Sequence, residues 1–231
     1  MDLGDRIAGL QLDPSMWLAT ATAAIAFVLV AADGVWRRSR NVITVAHEAG
    51  HAVAALATGR RVTGIKLHSD TSGVTLTVGR PYGPGMVITL LAGYLSPSVL
   101  GLIGVAALSD GLVTLELWTA VALLTATLFF VRNAYGVAVV AGTILALGLV
   151  AWYAPAQAQA VFACVGTWFL LIGAVRPVLE LGRQRRSGYG YGSDADQIAH
   201  LTRLPAGLWI GVLGAVTLGA LASGAWLLVL R

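Results

Sequence analysis

Apolar runs of near membrane-crossing length fill most of this chain, and they limit what it can fold into. A helix that crosses a bilayer needs ~20 predominantly apolar residues. Runs at residues 16–36, 41–59, 86–108, 112–131, 135–153, 160–175 and 207–230 meet or approach that length. Charged residues make up only 11% of the 231, and mean hydropathy is +0.79. A soluble domain carries about 25% charged residues. The expected fold is an all-α polytopic membrane protein with about seven transmembrane helices. So much of the length goes into spans that residues 1–231 are read as a single membrane-embedded domain. The segment before the first run holds Asp2, Asp5 and Asp13 against Arg6, which is no positive n-region, so that run is expected to be a retained span. Asp13, Pro14 and Ser15 supply its helix start.

Two segments between the runs carry other patterns. Residues 62–81 alternate apolar with polar and are rich in β-branched residues on either side of Ser69, Asp70, Thr71, Ser72 and Gly73. That predicts a small β-hairpin insertion directly after the second span. Residues 182–205 form a basic, Gly- and Tyr-rich loop, in which Ser193 and Asp196 make a capping-box pattern that opens a short helix reaching Arg203. Pro97, between Ser96 and Ser98, is expected to kink the third span. With seven alternating spans, Arg37, Arg38, Arg40 and Arg231 fall on one face and the other 11 Lys and Arg on the opposite one. The richer face, with the 182–205 loop, is expected to be cytoplasmic. The net charge of +4 and pI near 9.6 therefore report orientation and lipid headgroups. Nucleic acid is excluded as a partner, since no basic soluble domain exists to hold it. The single cysteine, Cys164, lies in an apolar run and reads as a small buried hydrophobe.

The second run contains the chemistry. His47, Glu48, Ala49, Gly50 and His51 lie in an otherwise apolar or small stretch. On a helix, positions i and i+4 share one face, so two of the chain's four histidines can present imidazoles to one divalent ion. Glu48 then stands beside the ion's open position, as in the H-E-x-x-H arrangement of zinc peptidases. Burying these groups without a partner would cost several kcal/mol; a bound divalent ion removes that cost. Ala49 and Gly50 let another backbone approach closely. A catalytic zinc takes three protein ligands and a water, so one ligand is missing from the motif. The candidates are Asp194 and Asp196, which also fit simple N-capping; Asn133, which also fits a helix end; Glu116, which also fits a proton relay or a pair with Arg132; and His68, in the hairpin turn. Asp196 and His200 form another i, i+4 pair.

The stretch from Thr44 to Ala52 resembles the zinc-binding helix of the site-2 protease family of intramembrane metalloproteases. Residues 40–230 as a whole are similar to its compact bacterial branch. Matching features follow in order: Gly73-Val74-Thr75; Ala92-Gly93-Tyr94-Leu95-Ser96-Pro97-Ser98; Arg132-Asn133-Ala134-Tyr135-Gly136; and Ser193-Asp194-Ala195 followed by Leu201 and Leu204. The resemblance implies a multi-pass protein of the bacterial inner membrane, a zinc-dependent endopeptidase that cuts membrane-protein or peptide substrates in or near the bilayer. It implies Zn2+ on His47 and His51, with Glu48 as general base on a zinc-bound water. One departure is plain. Better-known members supply the third ligand from an Asp just before a Gly, where this chain has Tyr135. Asp194 is taken as the third ligand instead, ahead of Asp196 and Asn133. Two other readings use the same histidines: an inactive relative that binds membrane helices, and a metal transporter or sensor.

Overall fold

The computed structural model describes residues 15–188 and 192–230; Arg6, Asp13, Pro14 and Arg231 lie outside them. Helix α1 (Met16–Ala31) starts at Ser15, whose hydroxyl accepts from the Leu18 N–H at 3.3 Å. It leads into α2 (Asp33–Ala57), which carries the histidine pair. Strands β1 (Arg61–Leu67) and β2 (Gly73–Val78) form the expected hairpin, antiparallel and two-stranded. Then follow α3 (Pro84–Ser109), α4 (Val113–Leu128), α5 (Ala134–Tyr153), α6 (Ala156–Arg186), the short α7 (Asp194–Thr202) and α8 (Ala206–Ala225), which ends in a π-helical turn, Trp226–Leu230.

The chain is mostly helical and is an integral membrane protein, but the count of about seven spans is not confirmed. Four helices, α3, α5, α6 and α8 with its π turn, are each long and apolar enough to cross a bilayer. Helices α1 and α2 pass only when taken together, and they meet at 101°. Helix α4 is apolar but short. The first run therefore stops at Ala31 rather than residue 36, and the second helix starts eight residues before the expected residue 41. Asp33 is the reason: at the first position of α2 its carboxylate favours the positive end of a new helix.

A polar network fixes the bend. Arg176 of α6 donates to the Val30 carbonyl, which ends α1, and to the Asp33 carboxylate, which begins α2. Its Nε also donates to Glu180 at 2.8 Å, and Arg40 pairs with the same carboxylate at 3.0 Å. Trp36, 2% exposed, donates its indole N–H to Glu180 at 3.1 Å and lies under both guanidinium groups. These contacts overturn the expectation that Arg37, Arg38 and Arg40 face away from the 176–205 loop. They lie at its end of the bundle, because α2 turns aside instead of recrossing. Arg40 and Arg176 thus meet on one carboxylate, Glu180, near the C-terminal end of α6. The opposite end packs Leu108, Val113, Ala151, Ala160 and Cys164 together, with Thr114 donating to Gln159.

Helix α2 runs against α3 at close range. A Cβ on Gly50 would stand 2.6 Å from the Ala92 carbonyl oxygen, so only glycine allows this approach. Helix α3 is continuous through Pro97. Proline cannot donate to the Gly93 carbonyl one turn back. The Ser96 hydroxyl stands 3.1 Å from that oxygen and 2.6 Å from the Ala46 carbonyl on α2, so it serves the vacated acceptor and joins the two helices.

Glu180→Gln keeps an acceptor for Trp36 but removes both ion pairs. It should lower stability by about 1–3 kcal/mol, read as a reduced unfolding midpoint in detergent.

Candidate metal centre

Helix α2 sets His47 and His51 one turn apart, with imidazole centroids 4.6 Å apart and rings nearly perpendicular. Their Nε2 atoms are separated by 3.0 Å. Asp194, the first residue of α7, brings one carboxylate oxygen to 3.2 Å from both. The Thr89 carbonyl lies 2.7 Å from His51 Nδ1. A carbonyl only accepts, so the proton is assigned to Nδ1, and Nε2 is left with a lone pair aimed at the carboxylate. Two acceptors confronting each other at this range need a proton or a metal cation between them. The three donor atoms fit a metal. Ligands at 2.0–2.1 Å around a tetrahedral zinc stand about 3.3 Å apart, close to the separations here. His47, His51 and Asp194 can therefore hold a metal ion.

The surroundings fix the imidazoles closely. Gly93 packs directly on both rings: a Cβ there would overlap His51 and stand 2.8 Å from His47 Cε1. Tyr94 sets its ring edge-on to His47, centroids 4.8 Å apart. Glu48 is 4% exposed. Its carboxylate accepts from the Thr75 hydroxyl of β2 at 2.6 Å. Gly73 lies so near that a Cβ would stand 2.6 Å from Glu48 Oε1. A cavity of about 350 Å³ opens beside these groups, lined by His47, Glu48, Thr75, Tyr94 and Asp194 among others.

The remaining sequence candidates are engaged elsewhere. Asp196 makes the capping box with Ser193 and pairs with Arg185. Asn133 clamps β1, accepting from the Leu67 N–H at 3.2 Å and donating to its carbonyl at 2.6 Å. Tyr135 bonds Asn41 at 3.2 Å. Glu116 accepts from Thr167 at 2.6 Å rather than meeting Arg132, which donates to the Phe129 carbonyl at 2.6 Å. His68 stands 3.2 Å from the Ser72 hydroxyl at the hairpin tip. The sequence reading passed over Glu180 and Thr89. Neither has a local signal, since each acts through a partner far along the chain.

One edge of the hairpin is closed. Residues 130–133 run along β1, with Ile65 N–H donating to Phe130 at 2.8 Å and Arg132 N–H donating to Ile65 at 2.9 Å. Strand β2, which carries Thr75, has no strand on its other edge among the described residues.

A family model described as Peptidase M50B-like matches residues 20–224. The match covers most of the chain, which therefore belongs to this family of membrane metallopeptidases, in agreement with the site-2 protease resemblance. No curated protein and no solved structure matches it.

Gly93→Ala must displace both imidazoles and should abolish metal retention, whereas Gly211→Ala, whose Cβ meets open space, should retain it. Metal analysis of the two purified variants decides this.

Proposed function

We propose that this M50B-like protein is a zinc-dependent endopeptidase that hydrolyses peptide bonds of membrane-protein substrates. The observation that carries the reading is the buried carboxylate of Glu48 beside a three-donor cluster with one side open to a cavity. His47, His51 and Asp194 would hold the ion. Zinc bound there supplies a Lewis acid for the scissile carbonyl and lowers the pKa of water. Glu48 takes a proton from the attacking water and delivers it to the amine nitrogen as the C–N bond breaks. Thr75 keeps the Glu48 carboxylate in one orientation for both transfers.

A helical substrate hides its carbonyls in its own hydrogen bonds, so cleavage needs local unwinding. The free edge of β2 supports binding of the unwound segment as an added strand, because main-chain groups there can replace the lost helical bonds. The other edge of the hairpin is filled by residues 130–133. Arg183, Arg185 and Arg186, which end α6 just before the helix that carries Asp194, favour a cytoplasmic face for the site. The resemblance to the compact bacterial branch supports an inner-membrane location.

Glu48→Gln should keep bound zinc and lose cleavage of a membrane-helix reporter by roughly 10²–10⁴-fold; undiminished cleavage would sink the base role. Asp194→Ala should lose the zinc itself, and unchanged occupancy would reduce Asp194 to a helix cap. Gly or Pro placed beside the scissile bond of the reporter should raise its kcat/KM. Equal rates for rigid and helix-broken reporters would rule out the strand-addition step.

A further inference from the structure

We propose that the hollow between α7 and α8 binds the phosphate headgroup of an anionic phospholipid. The hollow measures about 740 Å³ and is lined by Arg185, His200 and Arg203, with Leu204, Pro205 and Ala206 at the entry to α8. From Ala206 to Leu230 the chain is apolar and long enough to cross a bilayer. Its first turn therefore stands at the membrane surface, level with headgroup phosphates.

The charge of the hollow suits an anion. Arg203 and His200 are exposed, and neither makes an ion pair among the described residues. The one carboxylate in the wall, Asp196, is already used by Arg185 and by the α7 cap. Pro205 caps α8, so the first N–H groups of that helix face the same corner. Guanidinium and helix N-terminal donors together match phosphate oxygens.

The apolar side of the hollow itself distinguishes a lipid from a free phosphate: Leu204, 45% exposed, lines it together with Pro205 and Ala206, where the membrane-crossing helix begins. Leu208, Val212 and Val216 are 50%, 41% and 47% exposed and follow one another at four-residue spacing down α8. Gly207 and Gly211 lie next to them with open space where a Cβ would be. The hollow thus joins cationic groups to the apolar start of a membrane-crossing helix whose outer face is apolar, as a headgroup with attached acyl chains requires. Basic hollows at the end of a transmembrane helix recognise anionic headgroups by this combination.

The test uses the full chain purified in neutral detergent, with short-chain phosphatidylglycerol, phosphatidylcholine with the same chains, and sodium phosphate as probes. Binding is read by native mass spectrometry and by the unfolding midpoint. Phosphatidylglycerol should bind saturably and raise the midpoint. Arg203 holds φ at 60°, so Arg203→Asn removes the charge with a residue that tolerates this backbone. Combined with His200→Gln, it should weaken phosphatidylglycerol binding about tenfold. Arg80→Gln, an exposed arginine beside the hairpin, should leave binding unchanged. The midpoint of each variant without lipid reports whether its fold is intact, and His200→Gln alone gives a second reading at an exposed position. Equal binding of phosphatidylcholine, an equal loss in Arg80→Gln, or wild-type binding by both hollow variants would overturn the site. Displacement of the lipid by sodium phosphate at the same concentration would make it a soluble-anion site and overturn the lipid assignment.

Discussion

A polar group taken to membrane depth must meet a partner there, because no water is present to replace one. Much of this structure follows from that constraint. Glu180 is surrounded by Arg40, Arg176 and the Trp36 indole. Glu116 has Thr167. The carbonyl vacated by Pro97 has Ser96. His51 gives its Nδ1 proton to Thr89, and its other nitrogen looks across at His47 and Asp194. In this last group the protein side is complete only if a proton or a metal cation joins it. The histidines, the carboxylate and the glycine that makes room for them are thus one arrangement, set by the cost of leaving any of them alone.

The parts of the fold and site that were legible in the sequence are the local ones. The histidine pair and Glu48 lie within one helical turn, where i, i+4 spacing decides the geometry. The hairpin announced itself by alternation, and the capping box by Ser193 and Asp196. Hydropathy located the apolar helices but not their direction. It registers how apolar a run is and is blind to a 101° turn between two of them. The bend depends on Arg176 reaching Val30 and Asp33, roughly 140 residues earlier in the chain. No window of neighbouring residues contains that contact. The error over Arg37, Arg38 and Arg40 followed directly, since one crossing too many reverses the side assigned to everything between.

The third donor was ambiguous for a related reason. Asp194 and Asp196 both lie in the first turn of α7, where either carboxylate favours the helix N-terminus. They differ in the face they occupy. Residues two apart on a helix point about 200° away from each other, so one can meet the histidines only if the other turns away. Asp196 turns to Ser193 and Arg185, and Asp194 turns inward. The capping box therefore does more than end the helix: by holding Asp196 it fixes the rotation of α7 and so the position of Asp194. Ala195 and Ile198, both fully buried, lock the same rotation from the packed side.

The hairpin stands in a comparable relation to Glu48. Thr75 touches the carboxylate, and the strand that carries it leaves one edge open. Unwinding a helix at the membrane surface exposes N–H and C=O groups at several kcal/mol apiece when nothing receives them. A strand edge accepts and donates at alternate residues, so it returns much of that cost over a few positions. The closed edge on β1, held by residues 130–133 and the Asn133 clamp, keeps the sheet from pairing on the wrong side. Only β2 then combines an edge with no strand partner among the described residues with a side chain in contact with Glu48. On the proposed function, the same short hairpin would hold an extended substrate segment and orient Glu48, tying substrate alignment to the acid–base step through a single hydroxyl.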